Sequence, residues 1–384
     1  MEPMPLYWAR DGSARELPPY PEYFQKWAAD GTPLDEPYRS ILKRVEEALS
    51  LRVKQMFVRS QNDNLILEVE YESGRRDIVR TPNPDVLEET GGGAVQTIVR
   101  EAELLRWLKA NSELPVPTIR AILKSQQDGV LPVVVMEKMP GEMVLNVIGK
   151  ATLAYSVKER LMRSFAEFQV QLFRLEVPQR IGTARCEDLA ISVDSEEDGM
   201  ASLEEYIDAL LKRHERELEH IEDISARESC TRILARLKRE LPNLYTRLAP
   251  PSRRRCVLKH DDLNPQNILM DDEGYITGVV DWDLQVVLPA ALAVSYPSFI
   301  RYDGVHHPEY AREPYPGMEI WWFVSPDDSR RLRELYTQIA RELDEEYYDA
   351  LVNGEVLRQV AEWLAGSPDY VLTERWMETA FPSA

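Results

Sequence analysis

The feature of the sequence that most constrains the fold is a polar loop held between apolar runs. The stretch VLKHDDLNPQNILM covers residues 257–270, and TGVVDWD follows at 277–283. Short clusters of Asp and Asn are usually solvated turns, but these lie between segments that read as short strands. The pattern predicts a strand–loop–strand unit that holds Asp262 and Asn267 close together and brings Asp281 alongside.

The side chains of this unit have the chemistry that phosphoryl transfer needs. Two carboxylates and one amide oxygen are hard ligands of the kind that hold Mg²⁺ on a substrate phosphate. One further carboxylate can orient a hydroxyl group and accept its proton. The alternative is an ordinary polar turn, which the combination of several such residues in order disfavours.

The rest of the chain is typical of a small β-rich part followed by a larger, mainly helical part. Apolar residues at helical spacing predict a helix over 37–54, and alternation predicts a half-buried hairpin from strands at 65–73 and 76–81. A helix over 98–111 and a buried linking strand over 130–139 follow.

Two helix starts are predicted in the second part. Ser156 and Glu159 match a capping box, and Ser325 with Pro326 resembles a second capped start. The helix that begins at the capping box has an apolar face formed by five residues: Leu161, Phe165, Phe168, Leu172 and Leu175.

Composition excludes several functional classes. Three cysteines without paired spacing argue against a disulfide framework or a zinc site. The start of the chain is unlike a signal peptide, and no stretch reaches the roughly 18 apolar residues of a membrane span. A formal charge of −20 disfavours nucleic acid and anionic membranes as partners. A cytoplasmic protein is expected.

Much of the acidic excess lies in residues 194–223. The segment is typical of a solvated helical insertion that keeps the protein soluble. The alternative is an acidic wall that favours a cationic substrate.

The polar loop and the strand after it resemble the catalytic loop and metal site of the aminoglycoside phosphotransferase and choline kinase-like family. These small-molecule kinases share the bilobal protein-kinase fold. The family pattern is His, one residue, Asp, four residues, Asn, and later a strand that ends in Asp-Trp and an acid, which corresponds to His260, Asp262, Asn267, Asp281 and Asp283. The resemblance implies Asp262 as the catalytic base, Asn267 and Asp281 as Mg²⁺ ligands, and His260 as a brace for the loop.

The resemblance also implies a nucleotide site for ATP in the first part of the chain. Glu101 matches the helix glutamate that pairs with the nucleotide-anchoring basic residue, and Arg80 is the candidate for that residue. The loop that covers the phosphates would contribute Ser60 and Asn64. The hinge that meets adenine corresponds to Glu137, Lys138 and Met139.

Three departures from the family pattern stand out. Where the family usually has a lysine or arginine on the third strand, the best candidate is Arg80, and an arginine keeps the charge but not the compact ammonium group of lysine. The covering loop RSQNDN (59–64) lacks glycines that would let backbone amides approach phosphate. Asp261 replaces a common glycine and is expected to face solvent. The alternatives without a functional role are that Arg80 is a surface charge on an edge strand and that Glu101 lies on a solvated face of its helix.

Together these motifs imply an α+β, bilobal protein-kinase-like fold with a small β-rich N-lobe and a larger, mainly helical C-lobe. The expected divisions are an N-terminal extension and helix at 1–54, a nucleotide-binding N-lobe at 55–140, and at 141–384 a C-lobe with the catalytic loop, metal site and acceptor-binding helices.

The expected function is ATP- and Mg²⁺-dependent transfer of the γ-phosphate to a hydroxyl of a small molecule, with a cationic acceptor as one alternative. A pseudokinase that binds nucleotide or acts as a scaffold is the alternative function. We interpret the GGG run at 91–93 as a flexible connector and the pair His306–His307 as polar residues of a loop. The pair Trp321–Trp322 is interpreted as lining of the core or of the substrate cleft. The sequence leaves the acceptor and the oligomeric state open.

Overall fold

The computed structural model describes residues 6–8, 14–16, 26–28, 34–85, 93–124, 131–150, 152–194, 200–300, 323–366 and 370–382. Gly91 and Gly92, the pair His306–His307 and the pair Trp321–Trp322 lie outside the described residues. Over the described parts, β-strands dominate the first third of the chain and helices dominate the remainder, as the sequence predicts.

The N-terminal lobe is built on a six-stranded antiparallel sheet. Two short strands, β1 (Leu6–Trp8) and β2 (Ala14–Glu16), pair with each other ahead of it. The order across the sheet is β3-β4-β5-β6-β8-β7. Its strands are β3 (Lys26–Ala28), β4 (Val53–Gln61), β5 (Asn64–Tyr71), β6 (Arg76–Pro82), β7 (Ile119–Leu123) and β8 (Val133–Glu137).

Two helices cover opposite faces of this sheet. Helix α1 (Tyr38–Leu49) packs on the side that includes Val133 and Val135, whereas α2 (Gly93–Asn111) packs on the side of Val134. Adjacent strand residues point to opposite faces, so the two helices sandwich the sheet. The helix predicted over 37–54 therefore exists but ends earlier, because the chain turns at Ser50 in a left-handed conformation (φ 54°).

The hairpin of β5 and β6 is confirmed, but the expectation that only one of its faces is buried is wrong. Leu65, Leu67 and Val69 point into the core under α1, as predicted. On the other face Glu68 and Glu70 are also buried, with 1% and 7% exposure. Long cationic side chains from neighbouring strands cover and neutralise the two carboxylates. The alternation of apolar and polar residues along one strand could not predict this burial, because the covering side chains come from other parts of the chain.

The C-terminal lobe combines small sheets with packed helices. Four strands have the order β11-β10-β15-β12 and three have the order β14-β13-β9. The strands are β9 (Glu142–Met143), β10 (Gly182–Glu187), β11 (Ala190–Val193), β12 (Cys256–His260), β13 (Ile268–Met270), β14 (Ile276–Val279) and β15 (Gln285–Pro289). The helices are α3 (Val144–Ile148), α4 (Tyr155–Arg174), α5 (Leu203–Leu218), α6 (Ile224–Arg247), α7 (Pro251–Arg254), α8 (Ala290–Ala293), α9 (Pro326–Leu343), α10 (Glu345–Asn353), α11 (Glu355–Ala365) and α12 (Tyr370–Ala380).

One hydrophobic core joins most of these elements. The predicted apolar face of α4 is confirmed, since all five of its residues are buried in this core. Helix α2 contributes Leu104, Leu105 and Leu108 to the same core. Because α2 also packs on the N-terminal sheet, it ties the two lobes together.

The capping box predicted at Ser156 and Glu159 is wrong. Helix α4 begins at Tyr155, and Ala154 is its N-cap residue without any side-chain hydrogen bond. Ser156 therefore lies inside the first turn, past the position from which a hydroxyl can accept from the free amides. The second prediction is confirmed, because Ser325 Oγ accepts a hydrogen bond of 3.1 Å from the Asp328 amide at the start of α9.

This difference predicts unequal effects of the same substitution. Ser325→Ala is expected to lower the free energy of unfolding by about 1 kcal/mol, because it removes an N-cap hydrogen bond. Ser156→Ala is expected to change it by less than about 0.5 kcal/mol, as for a residue that caps nothing. Urea unfolding of both variants measures the difference. Equal losses would contradict the assignment of the two helix starts.

Within the stretches that the structure describes, no helix has the length and apolarity needed to cross a bilayer.

Candidate active site

The polar loop lies where three short strands of the C-terminal lobe meet. Strand β12 ends at His260, β13 begins at Ile268, and β14 ends at Val279. The backbone amide of Val280 donates to the carbonyl oxygen of Asn267 (3.0 Å), which joins the loop to the chain after β14. The three predicted strands are confirmed, and they hold the loop residues at one edge.

His260 connects the end of β12 to the backbone next to Asp281. Its Nε2 atom donates to the Val280 carbonyl oxygen at 3.0 Å, so Nε2 carries the proton. The ring is 2% exposed and its centroid lies 4.6 Å from that of the fully buried Trp282. Burial lowers the pKa of His260, so the ring is neutral and acts through one fixed hydrogen bond.

Asp262 is held by two asparagine side chains. Asn267 Nδ2 donates to the Asp262 backbone oxygen (2.8 Å) and to its carboxylate Oδ2 (3.1 Å). Asn264 Nδ2 donates to Oδ1 at 3.0 Å. Asn264 was not among the residues predicted for the site. Its Asn-Pro dipeptide is a turn signal that could have identified it, because Asn264 Oδ1 caps the turn by accepting from the Gln266 amide (2.8 Å).

Arg80 lies opposite this loop and binds three carboxylates. Its Nη1 atom donates to Glu101 Oε2 (2.7 Å) and Asp281 Oδ1 (2.8 Å), and Nη2 donates to Asp283 Oδ2 (3.1 Å). Glu101 Oε1 accepts from the backbone amide of Trp282 at 2.9 Å. The Arg80–Glu101 pair therefore joins the N-terminal sheet and α2 to the loop after β14.

Burial excludes the surface alternatives for both members of this pair. Strand β6 lies inside the sheet, between β5 and β8, and Arg80 is 6% exposed. Glu101 is 1% exposed. Burial raises the pKa of Glu101 to about 7 against the opposing effect of Arg80. Burial also raises the pKa of Asp283, and the neighbouring Asp281 adds to that shift.

Asp281 has a strained backbone. Its φ of +65° is in the left-handed region, which costs roughly 1–2 kcal/mol for a residue with a Cβ atom. The conformation turns the chain directly after β14, so that Asp281, Trp282 and Asp283 diverge. Asp281 and Asp283 reach Arg80, whereas Trp282 enters the core. Such strain is concentrated at functional sites.

The predicted nucleotide-site residues lie on the same side of the N-terminal sheet as Arg80 or at its edge. Ser60 is in β4 and Asn64 begins β5, and in the described parts no hydrogen bond or ion pair links either to the Arg80 cluster. Asn64 Oδ1 is buried without a hydrogen-bond partner among the described residues. These two residues frame the turn between β4 and β5 instead of touching the cluster.

The predicted hinge begins at Glu137, the last residue of β8. Glu137 Oε2 accepts from the Thr118 amide (3.3 Å), and Lys138 Nζ donates to Glu68 Oε1 (2.8 Å). Met139 lies against Gly278 of β14, where an added Cβ would come within 2.8 Å of the Met139 side chain. Glycine at 278 thus lets the hinge approach the strand that leads to Asp281. Glu68 was not predicted as part of this region, since its alternation pattern indicated an exposed face.

The donor set of the loop fits a hard divalent cation. The Nδ2 group of Asn267 faces Asp262, which leaves its Oδ1 atom turned the other way. Asp281 uses Oδ1 for Arg80, and its side chain is 39% exposed. A group of three His, Cys, Asp or Glu residues able to hold a metal is absent from the described residues. Mg²⁺ on a substrate phosphate needs only one or two carboxylates.

A cavity of about 210 Å³ lies beside the loop. Its walls include Asp261 and Leu263 on either side of Asp262, Phe165 and Gln169 of α4, Tyr296, and residues of α9 and α11. Asp261 is solvent-exposed, as predicted, but it is also paired with Lys259 at 2.6 Å.

Several carboxylates in the described part of the acidic segment have partners. In α5, Glu204 pairs with Arg254 (2.7 Å) and Asp208 with Lys212 (2.6 Å). Glu205 accepts from the Ala201 amide at 2.8 Å. Several of its carboxylates are thus engaged close to the helix itself.

Comparison with known proteins matches most of the chain. The family model described as APH, phosphotransferase enzyme family, matches residues 54–291. The clavilactone A biosynthesis cluster protein Y of Ampulloclitocybe clavipes is 32% identical over 394 residues, which cover 96% of this chain and 94% of that protein.

Two solved structures have a similar fold. A thermostable mutant of aminoglycoside phosphotransferase APH(4)-Ia, in a ternary complex with AMP-PNP and hygromycin B, aligns with a TM-score of 0.50 at 14% identity, covering 90% of this chain and 99% of that chain. The apo form of a thermostable mutant of that enzyme aligns with a TM-score of 0.50 at 14% identity, covering 89% and 100%. These alignments confirm the predicted α+β bilobal fold.

Proposed function

Because this chain belongs to the APH phosphotransferase enzyme family, we propose that it transfers the γ-phosphoryl group of ATP to a hydroxyl group of a small molecule, with Mg²⁺. The observation that carries the proposal is the convergence of Asp262, Asn267 and Asp281 at one strand edge, opposite the buried Arg80–Glu101 pair. Carboxylates and an amide facing a fixed cation are the arrangement that phosphoryl transfer requires.

Asp262 acts as the catalytic base in this proposal. It accepts the proton of the acceptor hydroxyl while that oxygen bonds to the γ-phosphorus and the bond to the bridging oxygen of ADP breaks. The hydrogen bonds from Asn264 and Asn267 hold the carboxylate in one orientation, and each carboxylate oxygen keeps a second lone pair for the hydroxyl. His260 is a positioning residue, because it fixes the backbone between the loop and Asp281.

Asn267 and Asp281 would hold Mg²⁺, through Asn267 Oδ1 and the Asp281 oxygen that Arg80 does not bind. When bound, the ion neutralises charge on the β- and γ-phosphate oxygens.

The nucleotide would lie under the N-terminal sheet. Arg80, held by Glu101, provides the cation for its phosphates, and Ser60 and Asn64 line the turn that covers them. The backbone of Glu137, Lys138 and Met139 meets the base. AMP-PNP in the solved APH(4)-Ia complex supports the use of an adenine nucleotide.

The acceptor is open between two classes. A cation is the class that the acidic segment suggested, and the hygromycin B complex of APH(4)-Ia, an aminoglycoside phosphotransferase, is consistent with it. A neutral alcohol is the class that agrees with the ion pairs of the cavity beside the loop. We also propose that the protein acts in the cytoplasm, since its three cysteines are free and buried.

A pseudokinase is the second candidate function. Arg80 is bonded to Asp281 and Asp283, and the loop at 59–64 lacks glycine. Both features would suit a protein that binds nucleotide without turnover.

The test is ADP release by the purified protein with Mg-ATP and a broad panel of alcohols, amino alcohols and aminoglycosides, with calorimetry of Mg-ATP binding alongside. Acceptor-dependent ADP release with a phosphorylated product is expected. Tight binding of Mg-ATP without turnover of any acceptor would indicate the pseudokinase, and no binding at all would indicate a scaffold.

A further inference from the structure

On the basis of the proposed phosphotransferase function, we infer that the cavity beside the catalytic loop accepts a neutral, hydroxyl-bearing molecule of one or two rings and disfavours polycations. The inference comes from the volume of the cavity, the pairing of its charged side chains and the chemistry of its unpaired polar groups.

The cavity lies beside the loop that carries Asp262 and is small. Asp261 and Leu263, the two neighbours of Asp262 in the chain, are part of its wall. As bounded by the described residues, its volume is about 210 Å³. Pockets for drug-sized ligands usually measure roughly 300–1,000 Å³. A compact acceptor fits inside this space, whereas a molecule with several amino-sugar rings would have to extend into the neighbouring depression of about 380 Å³.

The wall has as many carboxylates as cations, namely Asp261, Glu355 and Glu362 against Lys259, Arg333 and Arg358. Lys259 Nζ lies 2.6 Å from Asp261 Oδ1, and Arg333 Nη2 lies 2.5 Å from Glu355 Oε1. The Arg333 guanidinium also stacks over the Tyr296 ring, with 3.8 Å between Cζ and the ring centroid. A cationic acceptor would have to compete with the lysine and the arginine for carboxylates that are already neutralised.

The wall also contains Glu362 and the fixed cation Arg358. Its guanidinium donates to the carbonyl oxygens of Ala291 (3.0 Å) and Ala350 (3.2 Å), and also to that of Leu351. These bonds fix the arginine, and the neighbouring Glu355 interacts with its charge. Because the cations and carboxylates of the wall are equal in number, an ammonium group placed in the cavity would be desolvated without an excess carboxylate to bind it.

The unpaired polar groups of the wall are uncharged. Within the described residues, the Gln169 amide and the Ser295 hydroxyl have no hydrogen-bond partner, and Gln359 uses only Oε1, which accepts from Trp376 Nε1 at 2.8 Å. Amides and hydroxyls both donate to and accept from alcohols. Phe165 and Leu263 supply apolar surface beside them.

The surface next to the cavity does not add net negative charge. A shallow depression next to the cavity shares Tyr296 and Arg333 with it, and its other charged residues are Arg330 and Glu334. It adds no excess of carboxylates that would attract a cation into the cavity.

Matched pairs of small alcohols test the inference. Each pair differs only in an amino group that replaces one hydroxyl, for example glucose with glucosamine and 4-hydroxybenzyl alcohol with 4-hydroxybenzylamine. Calorimetry with Mg²⁺ and AMP-PNP present measures binding, and ADP release measures kcat/KM. We expect the neutral member to bind about tenfold more tightly, because an ammonium group would be desolvated without a partner.

Two variants with a matched control locate the effect in the cavity. Lys259→Met leaves Asp261 unpaired and should shift the preference about fivefold toward the amines. Lys259→Arg keeps the charge and should preserve the wild-type preference. Asp261→Asn leaves Lys259 unpaired and should shift the preference toward the neutral alcohols. This variant tests the inference even if Lys259→Met does not fold.

The outcomes separate this inference from the proposed function. Tighter binding of the amines, binding of no compound, or a preference unchanged in both Lys259→Met and Asp261→Asn would overturn the inference. ADP release with amines preferred would leave the phosphotransferase function standing. Neutral compounds that bind without any ADP release would support the cavity assignment and contradict the phosphotransferase function.

Discussion

Replacing Asp262 by asparagine is expected to lower kcat by roughly 10²–10⁴-fold, the range typical of losing a general base. The change keeps the size of the side chain, and an amide can still accept from Asn264 or Asn267 through its oxygen. It removes the group that takes the proton of the acceptor hydroxyl. The measurement is kcat from acceptor-dependent ADP release, with the KM for ATP and the melting temperature recorded for the same protein.

Asp272→Asn is the matched control for this substitution. Asp272 lies in the exposed turn between β13 and β14 and undergoes the same chemical change, so kcat should stay within about twofold. A variant Asp262→Asn that retains most of the wild-type kcat would show that another group takes the proton.

Replacing Arg80 by methionine is expected to lower the free energy of unfolding by about 3–5 kcal/mol. Glu101 is almost completely buried, and Arg80 is the cation that neutralises it. Asp281 and Asp283 are more exposed and can be solvated by water, so most of the loss comes from Glu101. Guanidinium unfolding monitored by tryptophan fluorescence measures this change.

The double variant Arg80→Met/Glu101→Met tests the cause of the loss. It should recover most of the stability, because neither charge then remains buried without a partner. Arg80→Lys should lose less than Arg80→Met, since it keeps the cation. Additive losses in the double variant would contradict a direct coupling of the two charges.

The loss in Arg80→Met should also depend on pH. Burial already raises the pKa of Glu101, and removal of Arg80 raises it further, so the folded-state pKa lies above that of the unfolded chain. The stability contributed by the proton is present below the unfolded pKa and is lost as the pH rises through the folded pKa. Unfolding should therefore become easier as the pH is raised from about 5, near the unfolded-state pKa of Glu101, to about 8.

The Arg80 cluster also bears on how activity and stability are related. The arginine that would contact phosphate is bonded to Asp281, a proposed Mg²⁺ ligand, and through Glu101 to the backbone of Trp282. Binding of Mg²⁺ and nucleotide would change the partners of the same guanidinium. Substitutions in this cluster should therefore alter nucleotide affinity and folding together, whereas Asp262→Asn should alter turnover alone.

Several parts of the fold and candidate site followed from the sequence because they depend on neighbours in the chain. Apolar spacing predicted the face of α4, the hairpin of β5 and β6, and the strands on both sides of the loop. The order of His260, Asp262, Asn267 and Asp281 predicted one cluster, and these residues lie at adjoining strand ends. The failure at Ser156 shows the limit of such local rules, since the N-cap of the helix is Ala154, two residues before the predicted one.

What the tertiary structure decided is how the charged side chains are paired. Arg80 and Asp281 are 201 residues apart in the chain, yet they form one cluster with Asp283. Glu68 is buried by cations from neighbouring strands and from the hinge. The sequence by itself determined the elements and the chemistry of the loop, because hydrophobic periodicity and turn propensity act over a few residues. Only the structure determined which charges neutralise one another, because an ion pair depends on distances of a few ångströms that packing of the whole chain sets.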